Sequence, residues 1–92
     1  MSEVFIKVFG QVQGVGFRYH SRQKARELSL VGWVCNASDG TVEILAQGEK
    51  ADLEKFVEWV KAGPGLSAKV ERVEISFQPI RGGIYADFAI RN

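Results

Sequence analysis

The sequence predicts an α+β fold, with two helices on one face of a mainly antiparallel sheet. Three features carry that prediction. Runs rich in β-branched and aromatic residues are interleaved with two runs of helical periodicity, in the order β-α-β-β-α-β with a short extra strand at the end. The dipeptide Asp39-Gly40 supplies the tight-turn chemistry that joins antiparallel neighbours. A chain of 92 residues, 46% hydrophobic and 25% charged, has the size and composition of one packed domain, so residues 1–92 are expected to form a single unit.

Val4 to Phe9 is apolar except for Lys7, the pattern of a strand buried on much of both faces and central in its sheet. Phe17, Ser21, Ala25 and Leu28 then recur at helical spacing while Arg22, Lys24, Arg26 and Glu27 fill the remaining surface, which predicts an amphipathic helix with a small-residue seam. Around "NASDG", Val31 to Asn36 and Thr41 to Gln47 form the two arms of a hairpin. Leu53, Phe56, Val57 and Val60 occupy positions i, i+3, i+4 and i+7 of a second helix, which Gly63-Pro64-Gly65 stops. In "AKVERVEISF" the apolar phase shifts between Val70 and Val73, the mark of a bulge, before Val73, Ile75 and Phe77 settle into alternation. After Gly82-Gly83, Tyr85 to Ile90 makes a last strand with Phe88 and Ile90 on one face. There are no repeats and no linkers. The whole is a ferredoxin-like α/β sandwich (βαββαβ), the split βαβ arrangement.

Twelve Lys and Arg against eleven Asp and Glu leave a net charge of +1. So balanced a chain exerts no general attraction on nucleic acid or acidic membranes, and any anion must be bound locally. Cys35 is the one cysteine, which excludes an internal disulfide and, without a CxxC or Cys/His cluster, a zinc site. The apolar runs are too short to span a bilayer, and "MSEVFIKVF" lacks the basic and long apolar regions of a signal peptide. The expected location is the cytoplasm.

Between the first strand and the first helix lies "GQVQGVGFRYH". It is not a Walker A loop, which needs Lys followed by Ser or Thr, nor a dinucleotide fingerprint, since the sixth position counted from Gly14 is Tyr19. "QGVGFR" resembles the aromatic segment of RNA-recognition modules, but that segment belongs on a later, interior strand. What remains is a strand, a tight glycine loop and a helix N-terminus, where free N–H groups and the positive end of the helix dipole converge. Arg18 stands at the junction and can close a bidentate grip on an oxyanion. On the loop alone, an anion cradle and a plain glycine turn beside a solvated arginine stand level.

Two longer motifs shift that balance. The sequence closely resembles the acylphosphatases, small hydrolases of the ferredoxin-like fold. Their first signature, Gly-x-Val-Gln-Gly-Val-x-Phe-Arg, is matched by Gly10, Val12, Gln13, Gly14, Val15, Phe17 and Arg18. Their second, Gly-[Trp/Tyr/Phe]-Val-x-Asn-x-x-Asp-Gly-x-Val-Glu with a glycine soon after, is matched by Gly32, Trp33, Val34, Asn36, Asp39, Gly40, Val42, Glu43 and Gly48. Fainter echoes in "GPGLSAKVERVE" and "DFAIR" extend the likeness over nearly the whole chain.

The resemblance implies hydrolysis of the carboxyl-phosphate bond of a small-molecule acyl phosphate, releasing a carboxylate and inorganic phosphate, with no metal and no organic cofactor. It implies that Arg18 and the loop Gln13, Gly14, Val15, Gly16 and Phe17 hold the phosphoryl group, and that Asn36 holds the attacking water. It further implies a monomer with no nucleic-acid or membrane partner. The chemistry is consistent with these roles. Phosphoryl transfer needs charge around the equatorial oxygens and a nucleophile in line with the leaving group. A carboxamide at 36 orients water without adding a negative charge that would repel the phosphate. A carboxylate leaving group needs no proton at neutral pH, so no strong general base is required.

Several neighbouring residues have a weaker claim to the chemistry. His20 has no obvious carboxylate partner and suits a surface or packing role. Cys35 alternates with Asn36 in direction, so only one of them addresses the site, and Cys35 is expected as a small core residue. Asp39-Gly40 suits a hairpin better than a metal. Arg22, Lys24 and Arg26 suit a solvated helix face. The aromatic residues Phe5, Phe9, Trp33 and Trp59, without a basic stripe, suit the core or a half-exposed sheet rather than a nucleic-acid platform. The competing reading is a noncatalytic anion- or RNA-binding domain on the same fold. A related one is a module cut from a larger carbamoyl-transferring protein, against which Met1 and the compact ending favour an independent chain.

Overall fold

The predicted order of elements is the order observed. The structure, a computed structural model, describes residues 1–63 and 68–92. Strand β1 (Ser2–Gln11) leads to helix α1 (Phe17–Glu27), the hairpin β2 (Val31–Asn36) and β3 (Val42–Gly48), helix α2 (Lys50–Lys61), and strands β4 (Lys69–Gln78) and β5 (Phe88–Arg91). The sheet order is β4-β1-β3-β2-β5. Every pairing is antiparallel except the parallel pair β2–β5.

Alternation along β1 decides which face is sealed. Val4, Ile6 and Val8 are fully buried and pack with Ile44, Val34 and the helices in one hydrophobic cluster. Phe5, Lys7 and Phe9 point to the other face and are only half-buried. The expectation of burial on much of both faces is therefore corrected, because both helices lie on one side. On the open side the aromatics shelter one another: Phe5 meets Trp33 edge-on at 6.4 Å, and the Arg72 guanidinium lies 3.8 Å from the Phe9 ring centre.

Helix α1 buries Phe17, Ser21 and Ala25, with the fourth expected seam residue, Leu28, half-buried at its C-cap, and α2 buries Leu53, Phe56, Val57 and Val60, the seam read from the sequence. Gly63, in the left-handed region at φ 74°, follows the C-terminal end of α2, while the Pro64-Gly65 part of the expected stop lies outside the described residues. The bulge is present too. Phe9 pairs with Arg72 and Gly10 with Val70, so Glu71 is the extra residue of β4.

Several strand boundaries differ from expectation, β1 running from Ser2 to Gln11 rather than Val4 to Phe9, and two of the differences have a visible cause. Thr41 belongs to the turn, because its N–H and hydroxyl both donate to Asp39 Oδ1, at 3.1 and 2.6 Å. The last strand starts at Phe88 rather than Tyr85, because Gly83 and Tyr85 are tied to a side chain, and only at Asp87 does the segment meet the main chain of β2, through Gly32 N at 3.0 Å. Gln47 Nε2 donates to the Gly83 carbonyl at 3.1 Å, and the Tyr85 N–H donates to Gln47 Oε1 at 2.9 Å. Among the described residues no helix is long and apolar enough to cross a membrane.

Candidate active site

The turn from β1 into α1 has to reverse the chain in a few residues, and two glycines let it do so. Gly14 and Gly16 lie in the left-handed region, at φ 74° and 79°. A Cβ on Gly14 would meet nothing within 4 Å, so backbone conformation rather than lack of space calls for glycine there. Gly16 occupies the N-cap of α1 and brings no side-chain cap, and the first turn holds no acidic residue. Among the described residues, no main-chain N–H from Gly14 to Tyr19 donates to a protein acceptor; the first to do so is His20 N, to the Gly16 carbonyl at 3.0 Å. A row of unspent donors therefore meets the positive end of a helix.

Arg18, the second residue of α1, is half-buried and stands beside that row. It has no ion pair or hydrogen bond among the described residues, whereas Arg26 is paired with Asp87 at 2.8 Å and Arg72 with Glu74 at 2.7 Å. The loop residues Val12, Gly14, Gly16 and Phe17 line a cleft of about 180 Å³ together with Arg18, Tyr19 and Ile90 of β5. A larger hollow of about 340 Å³ lies on the open sheet face, but the Glu3 carboxylate in its wall makes it a poor host for an anion.

Gln13 spends its side chain inside the protein. Its Nε2 donates to the carbonyls of Ala37 and Thr41, both at 2.8 Å, so the donor it can still offer an anion is its main-chain N–H. Asn36 ends β2 on the helix-facing side, the side of Val34 and Ile90, and its Oδ1 is buried without a partner. It is not among the residues lining the cleft. The structure thus brings Gly14, Gly16, Phe17 and Arg18 into one cavity, places Val15 half-buried in the same loop, and does not put Asn36 in the cavity's lining.

Cys35 faces the open side of the sheet and is half-buried, which corrects the expectation of a core residue. Burial and the Glu43 carboxylate push its thiol pKa up, against the opposing pull of Arg91 and Arg18. His20 is exposed, with its ring edge-on to Tyr19. Of the residues assigned to a solvated helix face, Arg26 instead bridges to Asp87, and Arg22 Nε is buried without a partner. Among the described residues no three His, Cys, Asp or Glu side chains converge on one point. "QGVGFR" runs through a loop and the start of a helix, not along a strand, so it has no sheet surface on which to stack bases.

A model of the acylphosphatase family matches residues 4–90. The chain belongs to the acylphosphatase family. It is 42% identical over 91 residues to an acylphosphatase of Leuconostoc mesenteroides, covering 99% of each chain. It is 50% identical over 68 residues to one of Acaryochloris marina, covering 74% of this chain and 72% of that one. The crystal structure of acylphosphatase from Bacillus subtilis superposes over the whole of both chains with a TM-score of 0.93 at 41% identity. The activity that goes with this family is acyl phosphate hydrolysis. In acylphosphatase terms, the first motif spans the end of β1, the loop and the start of α1, and the second spans β2, its turn and β3. Gln13 is the stitch between them.

Proposed function

We propose that the chain hydrolyses the carboxyl-phosphate bond of small acyl phosphates by direct attack of water, with the phosphoryl group held by Arg18 and the main chain of Gln13 to Phe17. The observation that carries this reading is the row of N–H groups beside Arg18, neither of which has a protein partner among the described residues. A phosphate dianion supplies the acceptors that both lack, and the guanidinium fork matches its geometry.

Asn36 holds the attacking water. Its support is the buried Oδ1 with no partner, an acceptor able to take a hydrogen bond from water and carrying no net charge. The water oxygen forms a bond to phosphorus as the bond from phosphorus to the acyl oxygen breaks. The leaving carboxylate keeps the electron pair of that bond, and the water proton passes to a phosphate oxygen of the substrate. Charge neutralisation and positioning thus fall to Arg18 and the amides, the two tasks that dominate phosphoryl transfer. No metal or organic cofactor has a part in this scheme.

We place the chain in the cytoplasm as a monomer, with residues 1–92 as one domain. Its one hydrophobic cluster draws on both helices and the sheet, and its lone thiol suits a reducing compartment.

Benzoyl phosphate hydrolysis by the wild type, Arg18→Ala and Asn36→Ala, with EDTA present and folding checked by circular dichroism, tests the scheme. Arg18→Ala is expected to lose phosphate binding and roughly 100-fold or more of turnover. Asn36→Ala is expected to bind inorganic phosphate as an inhibitor yet turn over poorly. Wild-type turnover no faster than spontaneous hydrolysis would overturn the reading, and equal phosphate binding by the wild type and Arg18→Ala would remove the arginine from it.

A further inference from the structure

The same cleft contains a residue that the phosphate chemistry leaves unused. We propose that Tyr19 is the wall on which the acyl group rests, and that it biases the enzyme toward flat, aromatic acyl phosphates over short aliphatic ones. This rests on the reading of the site as one for acyl phosphates.

Only some surfaces of the cleft stay free once the phosphoryl group is seated. Gly14, Gly16 and Arg18 face the anion, so the acyl group meets what remains: Val12, Phe17, Ile90 and Tyr19. Val12 and Phe17 are each 1% exposed and have almost no surface left to offer. Ile90 is half-buried. Tyr19 is 50% exposed, the one cleft residue among the large exposed hydrophobics.

Its ring is also held in place before any ligand arrives. Tyr19 is the third residue of α1, so its backbone is fixed by the helix. The Arg22 guanidinium, one turn on, lies 5.6 Å from the ring centre, and the His20 ring meets it edge-on at 5.5 Å. A ring so braced loses little freedom on contact, which is the condition for a good stacking platform. An aryl acyl group gains from an offset or edge-on arrangement with such a ring, over and above the apolar area that it buries. An acetyl group offers a small fraction of that area.

The test compares benzoyl phosphate with acetyl phosphate in the wild type, Tyr19→Ala and Tyr19→Phe. In Tyr19→Ala the KM for benzoyl phosphate should rise about five- to tenfold more than that for acetyl phosphate, as loss of one aromatic contact implies. The kcat for benzoyl phosphate should change little, because the contact is shared by ground and transition states. Tyr19→Phe keeps the ring and should keep the wild-type ratio. Equal rises in both KM values would show a structural role only, and unchanged values would show that the acyl group does not touch residue 19. Either result overturns the proposal while leaving acyl phosphate hydrolysis standing. Failure of the wild type on both substrates would instead strike at the reading beneath it.

Discussion

Gln13 and Ala37 are joined by a 2.8 Å hydrogen bond from the side-chain amide to a main-chain carbonyl, and the same nitrogen reaches the Thr41 carbonyl at 2.8 Å. The loop proposed to hold phosphate is thereby fastened to the turn that follows Asn36. Phosphoryl transfer depends on the relative position of phosphorus and water, so this bond acts on rate through geometry. Gln13→Ala should cost about 1–3 kcal/mol of stability for the two hydrogen bonds lost, since the Ala37 and Thr41 carbonyls each keep a main-chain donor, Gly40 N and Ala37 N. It should lower kcat by roughly 10- to 100-fold while phosphate still inhibits, since Arg18 is untouched. Gln13→Glu should be worse than Ala, because a carboxylate would face two carbonyl acceptors. Steady-state kinetics with phosphate inhibition decide it, and a glutamate variant as active as the wild type would dismiss the bond's importance.

The glycines of the loop act through the backbone. A Cβ on Gly14 would touch nothing, and on Gly16 it would only make ordinary contact with the His20 ring at 3.6 Å. Alanine at either position nonetheless meets the cost of a left-handed conformation, about 1–2 kcal/mol. If the native loop persists, Gly14→Ala and Gly16→Ala lower the free energy of unfolding by that amount and keep measurable activity. Loss of more than about 4 kcal/mol would mean that the loop refolds rather than strains.

The sequence announces the fold wherever the signal is local or periodic. Leu53, Phe56, Val57 and Val60 show their seam by spacing, and the phase shift between Val70 and Val73 marks the bulge that leaves Glu71 unpaired. The glycines and Arg18 are visible for the same reason, as neighbours in one short loop. What escapes is whatever depends on distant partners. Gln13 looks like a ligand-facing residue, and only the approach of the β2–β3 turn shows its amide already engaged. The half-buried position of Cys35 depends on which sheet face the helices leave open, and the late start of β5 depends on Gln47, far away in sequence. Tyr19 and Ile90 share a cleft because a helix start and a final strand meet, which no spacing encodes.

Phe56 tests the core without touching the site. It is fully buried, stacks on Trp59 at 6.0 Å and meets Phe88 edge-on at 6.1 Å, so it ties α2 to β5. Phe56→Ala should cost about 3–5 kcal/mol, from lost burial plus the cavity left behind. The expected signature is a lower denaturant midpoint with an unchanged slope. The KM of the molecules that remain folded should match the wild type; a large rise in KM would mean that the cleft near Ile90 relies on this packing.

Asp39 gives the turn a dependence on pH whose direction is fixed. The Thr41 hydroxyl, then Lys7 at 3.0 Å, then the Thr41 N–H hold its carboxyl well below the usual carboxylate range, and the same contact raises the Lys7 pKa above 10.5. A carboxylate more acidic in the folded than in the unfolded state stabilises the fold above its unfolded value, about 4, and that stabilisation fades as pH falls toward the folded value. An amine raised on folding stabilises below its unfolded value and loses the effect as pH climbs through the raised one. Both contributions are therefore complete near neutral pH. The difference in denaturation midpoint between the wild type and Asp39→Asn should hold steady from about pH 6 to 9 and shrink below about pH 4. A difference that persists unchanged to pH 2 would mean that the turn needs the side chain's shape and not its charge.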